Sequence, residues 1–251
     1  MGRDTSLVPA FTAFISDLHL SRDRPDATRV FLEFLSQVAC KADGLYILGD
    51  LFEYWAGDDD LRDAFNRSIA TGLAATVSGG VPVMLMHGNR DFLMSSTFAG
   101  AAGARLLPDP TTVDLYGIQT LLMHGDTLCT EDRRYQSFRR RVRNPLWQNL
   151  FMLQPLSWRR AEIERARRVS ESQKRTKSAQ IMDVTPAAVT QALRESNCTR
   201  LIHGHTHRPA RHEHVVDGRR CERWVLSDWY QTGQYLRVGR DGCESVLLPF
   251  R

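Results

Sequence analysis

The chain has no apolar run near the ~18 residues that a membrane-spanning helix requires, which excludes an integral helical membrane protein. It has no CxxC pair. Its five cysteines, Cys40, Cys129, Cys198, Cys221 and Cys243, are odd in number, which argues against a cysteine zinc site and for reduced thiols. The opening MGRDTSLVPAFTAFI lacks the apolar core of a signal peptide, so a cytosolic chain is expected; Gly2 and Ser6 meet only the bare spacing of a myristoylation motif. Internal repeats and low-complexity linkers are absent too, and disordered, collagenous and coiled-coil classes are excluded. What remains is a chain of 251 residues, 42% hydrophobic and 25% charged. That composition can bury a core as one domain, or as one domain with a substantial insertion.

Along the chain, short apolar runs alternate with helical patterns. Strands are expected at Phe11 to Ile15, Leu45 to Leu48 and Val81 to Met86, a hairpin around Gly117, and a strand from Leu201. Val30, Phe31, Phe34, Leu35 and Val38 share one helical face, and Leu61, Phe65, Ile69 and Leu73 another. Thr185 can cap a helix that has Pro186 in its first turn. Trp224 to Leu226, Tyr235 to Val238 and Ser245 to Leu248 read as closing strands. This is a layered α/β pattern, in which ligand groups gather at strand ends.

Polar clusters do recur there. Asp17 and His19 follow the first strand, and Asp50 follows Gly49 after the second. Asn89 follows Gly88, His124 precedes Gly125, and His205 and His207 share a tight turn with Gly204. Each cluster alone is weak evidence. Jointly they supply four imidazoles, two carboxylates and one amide, more than the three or four ligands of a single zinc site. Two ions suit them better, with Asp50 the best candidate for a bridge. An ion pair of this kind activates water and clamps phosphoryl oxygens during in-line displacement.

The charge is uneven as well. Residues 133 to 177 hold 14 basic side chains against Glu162, Glu164 and Glu171, a net +11; the rest, with 19 basic and 26 acidic residues, carries −7. Such a window can be a solvated helical face, or can meet nucleic acid, a phosphorylated ligand or an anionic membrane. Inside it, Leu146, Trp147, Leu150, Phe151 and Leu153 recur at helical spacing near Trp158, as a segment that closes on the core or meets lipid.

The series AspLeuHis, GlyAsp, GlyAsn, HisGlyAsp and GlyHisThrHis resembles the calcineurin-like metallophosphoesterase superfamily. The longer blocks ISDLHL, YILGDLFEYWAGDDD, HGNRDFL, LMHGDTLCTED, KSAQIMDV and LIHGHTHRPA are similar to its UDP-2,3-diacylglucosamine pyrophosphohydrolase family, of lipid A biosynthesis, over nearly the whole chain. The resemblance implies a single domain, 1–251, with an α/β fold: a β-sandwich flanked by helices, carrying an inserted basic helical lid at 133–177. It implies two Mn²⁺ per chain, one held by Asp17, His19, Asp50 and His207, the other by Asp50, Asn89, His124 and His205. Substrate contacts would be Asn89, Arg90, His124, Asp132, Ser170, Lys174, Lys177 and His205, with Lys174 departing from one common form of the pattern. His87 and His203 are expected to support or pack rather than ligate.

Within the superfamily, Arg90 stands where histidine is common. An arginine cannot protonate a basic alkoxide, but it can hold phosphate oxygens, which suits a leaving group that is itself a phosphomonoester. The implied reaction is hydrolysis at the α-phosphate of UDP-2,3-diacylglucosamine to UMP and 2,3-diacylglucosamine 1-phosphate. The protein would sit peripherally on the cytoplasmic face of the bacterial inner membrane, binding its lipid-linked UDP-sugar and anionic lipid, with no nucleic acid and no obligate protein partner. Two rivals are a nuclease or phosphodiesterase using the same ions, and a metal-stabilised binding protein without turnover.

Overall fold

The computed structural model describes residues 10–174 and 183–250, the side chains of residues 171–174 excepted. The first half lays down β1 (Phe11–Ile15), α1 (Pro25–Gln37), β2 (Gly44–Leu48), α2 (Ala64–Ser78), β3 (Val83–Met86), α3 (Ser96–Ala101) and β4 (Arg105–Leu107). The hairpin of β5 (Thr111–Leu115) and β6 (Ile118–Met123) follows, and then three helices in a row: α4 (Arg133–Val142), α5 (Pro145–Met152) and α6 (Leu156–Lys174). After α7 (Pro186–Ser196) the chain closes with β7 (Arg200–His203), β8 (Ala210–Val216), β9 (Arg219–Val225), β10 (Gly233–Gly239) and β11 (Gly242–Leu248).

The strands form two sheets, ordered β11-β10-β1-β2-β3-β4 and β5-β6-β7-β9-β8. Side-chain alternation explains why they stack. Ala13 and Ile15 of β1, Leu45 and Ile47 of β2, and Val83 and Leu85 of β3 face α1, α2 and α3, among Val30, Phe31, Phe34, Ile69, Leu73 and Phe98. Their neighbours Phe14, Leu48 and Met86 point the other way and meet Leu122 and Ile202 of the second sheet and Leu226 just after β9. Leu121, Met123 and Leu201 then face Val189 and Leu193 of α7. The result is a sandwich of two sheets with helices on both outer faces, as expected. Strands buried on both sides read as continuous apolar runs, which is why they stood out.

Helix starts follow their caps. Asp63 accepts the Phe65 N–H at 2.8 Å ahead of α2, and Thr185 accepts that of Ala188 at 3.3 Å ahead of α7. Leu61 falls in a 3-10 turn (Asp58–Arg62) before α2 rather than inside it. The short β4 and α3 had no clear periodicity, and the seven-residue edge strand β8, exposed along much of one face, carries little apolar pattern.

Helices α4 to α6 stand over the strand ends, α6 held by ion pairs to the loop after β2 and α4 by Arg139 to Asp126 after β6. The fully buried Arg159 bonds the Ala56 carbonyl and the Asp59 carboxylate, Arg160 pairs with Asp60, and Arg167 with Glu53. Four of the 14 basic side chains of the window are therefore paired with carboxylates of the body. Gly57 makes this approach possible: its φ of +122° is a glycine conformation, and an added Cβ would collide with Arg159 and Met152. Gly57→Ala should cost about 1–3 kcal/mol from backbone strain alone. In thermal unfolding that lowers Tm by roughly 2–4 °C per kcal/mol for a domain of this size; an unchanged Tm would show that Gly57 does not hold this backbone conformation.

Candidate metal centre

Parallel pairing does not end with the strands. Asp17 N–H donates to Gly49 O, His19 N–H to Asp50 O and Leu20 N–H to Leu51 O, each at 3.0 Å, so the loops after β1 and β2 run side by side. Asp91 ties in the loop after β3, accepting the Leu51 N–H at 2.8 Å and the Gly88 N–H at 2.7 Å. Any side chain at Gly88 would strike the Asp50 carboxylate. From the second sheet, His124 follows β6 and His205 and His207 follow β7. Asp17, His19, Asp50, His205 and His207 all have positive φ, between 50° and 69°. Non-glycine residues avoid this region, and a cluster of them marks strain held for a purpose.

The seven residues meet at one rim of the sandwich. His207 Nε2 lies 3.4 Å from His19 Nε2 and 3.3 Å from Asp17 Oδ1. Asn89 Oδ1 lies 2.8 Å from His205 Nδ1 and 3.2 Å from His124 Nε2. Asp50 sits between the groups, with Oδ2 3.9 Å from His19 Nε2 and Oδ1 4.0 Å from His124 Nε2. One oxygen therefore faces each side. Asp17, His19 and His207 form one set of atoms within 4.8 Å of one another, and Asp17, Asp50 and His124 another.

The groups of this cluster differ in charge state: some offer free lone pairs, and others hold protons that a cation would replace. Asp17 Oδ1 is buried and accepts no well-directed hydrogen bond. Burial opposes the charge of Asp17, yet His207, His124 and His19 hold its carboxyl well below the usual range. Burial pushes Asp50 up to about 7, with Asp91 and Asp17 adding to it against the pull of His124. Burial and His124 press His205 down to about 3, and burial lowers His19 as well, leaving lone pairs available. His124 rises to about 9 despite burial, drawn by Asp50, Asp17 and Asp126, and His207 to about 10, drawn by Asp17 and Asp228.

The remaining expected residues are placed as follows. The Arg90 N–H donates to Asp50 Oδ1 at 2.8 Å, and its guanidinium lies 3.6 Å from Glu53 Oε1. Asp132 caps α4, accepting the Tyr135 N–H at 3.1 Å, and Ser170 lies on α6. Both line the cavity beside the cluster. Lys177 and the side chain of Lys174 lie outside the described residues. His87 bonds the Met94 carbonyl at 2.8 Å, and buried His203 lies 3.1 Å from Arg223, away from the cluster atoms. Sequence reasoning missed three supports: Glu53, Asp126, which holds Tyr135 and Arg139 of α4, and Asp228, 3.0 Å from His207 Nδ1. Asp228 follows β9 and obeys the same strand-end rule; Glu53 obeys none.

This fold and rim define a class. The family model of calcineurin-like phosphoesterases matches residues 12–209, and the chain belongs to that family, which holds divalent metal. Curated relatives align over nearly their full length. UDP-2,3-diacylglucosamine hydrolase of Aromatoleum aromaticum is 53% identical over 89% of this chain and 91% of its own. Proteins of the same name from Serratia proteamaculans and Pseudomonas aeruginosa are 48% and 49% identical, over 95% and 94% of this chain and 99% and 98% of theirs.

Cation uptake must displace the protons that His124, His207 and Asp50 hold in the cation-free chain. Those protons are bound more fully as pH falls, so acid weakens binding. Divalent-cation affinity measured calorimetrically should drop about tenfold per pH unit for each proton displaced, with Asp50 adding to the slope below pH 7. An affinity flat between pH 8 and pH 6 would contradict this.

Proposed function

We propose that the protein hydrolyses the pyrophosphate of UDP-2,3-diacylglucosamine at the α-phosphate, giving UMP and 2,3-diacylglucosamine 1-phosphate, with two Mn²⁺. The observation that carries this reading is a cavity of about 740 Å³ that joins the metal-facing rim to an apolar wall under α4–α6. Asn89, Arg90, His205 and His207 of the rim line it together with Phe138, Trp147, Phe151 and Ile163 of the helices, among Arg134, Arg141, Arg165 and Arg167. A phosphorylated head and apolar chains on one molecule match that mixed lining, whereas a polynucleotide has no apolar chain to fill it. The names and coverage of the relatives support the same substrate.

Asp17, His19, Asp50 and His207 would hold one ion, and Asp50, Asn89, His124 and His205 the other. Bound there, the pair would supply an activated water and positive charge for the phosphoryl oxygens. The protein does the rest. Its buried rim keeps bulk water from the reacting phosphate, and Arg90 offers donors where charge develops on the leaving phosphate. Helices α4–α6, within the 133–177 insertion, act as the lid and receive the acyl chains. Asp132, Ser170, Lys174 and Lys177 are proposed to contact the sugar and phosphate.

Helix α5 is apolar on two sides. Trp147 and Phe151 stack at 4.8 Å and face the cavity, while Leu146, Leu150 and Leu153 are 74%, 66% and 79% exposed. The residues expected to form one face are thus divided. No helix among the described residues is long and apolar enough to cross a membrane. The outer face is proposed to rest on the cytoplasmic surface of the bacterial inner membrane, where the lipid-linked substrate lies.

Incubation with Mn²⁺, detergent and UDP-diacylglucosamine should release UMP and the 1-phosphate in equal amounts; no UMP release would overturn the reading. Arg90→Ala should lower kcat/KM for this substrate by roughly 30- to 1000-fold, the equivalent of about 2–4 kcal/mol, with Arg90→Lys recovering some of the loss. Bis(p-nitrophenyl) phosphate, which has no second phosphate, should lose far less; equal losses would mean that Arg90 serves the attacked phosphate generally. In vesicle sedimentation, Leu150→Ser should weaken binding to anionic liposomes several-fold, and high salt should weaken the wild type. Unchanged binding in Leu150→Ser would remove α5 from the membrane contact.

A further inference from the structure

Three histidines turn Nε2 toward the centre of the cluster, and each has an oxygen beside its other nitrogen. His124 Nδ1 lies 2.9 Å from the Leu48 carbonyl and His207 Nδ1 3.0 Å from Asp228 Oδ2. For His19 the oxygen belongs to Glu53, whose Oε2 lies 3.5 Å from Nδ1. Both of these atoms are buried and neither has a hydrogen-bond partner among the described residues. The carboxylate oxygen and the ring nitrogen face each other with no competing partner.

Glu53 differs from the other two anchors in what its second oxygen does. Oε1 pairs with Arg167 of α6 and lies 3.6 Å from Arg90 of the loop after β3. Both arginines line the cavity. The carboxylate is fixed from below, because the Glu53 N–H donates to Leu20 O at 3.0 Å and its neighbour Phe52 bridges Leu20. A rigid backbone thus carries one buried carboxylate that touches a metal-facing imidazole on one side and two cavity arginines on the other.

We propose that Glu53 is a positioning residue that couples the lid to the metal centre: Oε2 fixes His19 with Nε2 toward the ion, and Oε1 aligns Arg90 and Arg167 for an anionic phosphate. Physically, a carboxylate on Nδ1–H sets the imidazole tautomer and raises the basicity of the ligating nitrogen. A guanidinium already held by its neighbours loses little freedom when a phosphate arrives. The assignment of the arginines to phosphate rests on the function proposed above; the His19 contact does not.

The test uses Glu53→Gln, Glu53→Asp, Arg167→Ala and the Glu53→Gln/Arg167→Ala double variant of the full chain. Mn²⁺ binding is measured without substrate, and turnover with UDP-diacylglucosamine and with bis(p-nitrophenyl) phosphate. Glu53→Gln should weaken one Mn²⁺ site about 10- to 100-fold. Its turnover of the small diester should fall at low Mn²⁺ and return at saturating Mn²⁺. For UDP-diacylglucosamine KM should stay raised even at saturating Mn²⁺, and the double variant should be no worse than the poorer single variant. Glu53→Asp keeps the charge but withdraws it by one methylene. It should also bind Mn²⁺ more weakly, whereas a role through charge alone leaves it near wild type; this variant decides the matter if Glu53→Gln does not fold. Mn²⁺ affinity within twofold of wild type in the folded Glu53 variants, or KM effects that simply multiply, would overturn the proposal. If the wild type released no UMP, the substrate reading would fall, while Mn²⁺ affinity and the small diester would still decide the role of Glu53.

Discussion

The backbone ladder between the loops after β1 and β2 is the constraint on which the site depends. Asp17, His19 and Asp50 are three polar groups at most 1% exposed, held in left-handed conformations that an isolated peptide would leave at once. They persist because the N–H groups of Asp17, His19 and Leu20 are spent on Gly49, Asp50 and Leu51 carbonyls, and because Asp91 locks the third loop to the second. The apolar sheets beneath supply stability; the ladder converts it into fixed positions for groups that would otherwise repel or hydrate.

The same division decides what could be read in advance. Strands β1, β2, β3, β6 and β7 are buried on both faces, so their apolar runs and the polar residues that end them were legible together. The seven rim residues were legible for that reason and because several share a turn with a glycine. Edge strand β8 and the three-residue β4 were not, since exposure removes the pattern that burial imposes. Glu53 was hidden for a different cause. Its partners, His19, Arg90 and Arg167, are 34, 37 and 114 positions away, and no local periodicity records a meeting of three separate segments.

Charge was the least direct guide. The basic window suggested a surface for an anionic partner, yet Arg139, Arg159, Arg160 and Arg167 are committed to Asp126, Asp59, Asp60 and Glu53. Four of the basic side chains in the helices thus meet acidic groups of the body inside the same molecule. Because Arg159 is fully buried and bonded through each of its nitrogens, removing it would leave the carbonyl of buried Ala56 without this donor, while the exposed Asp59 would turn to water.

The rim draws Asp17, Asp50 and Asn89 from one sheet and His124, His205 and His207 from the other. The interface between those sheets is mostly apolar contact, joined at one end by the hydrogen bonds of Tyr116 with Thr12 and Asp43, and all five cysteines are free thiols. An ion bound across this rim would act as a reversible cross-link, doing at one edge of the sandwich what a disulfide does in secreted proteins. Chelation would unfasten it. The cohesion of the two halves would then follow the free cation concentration of the surroundings as well as the sequence.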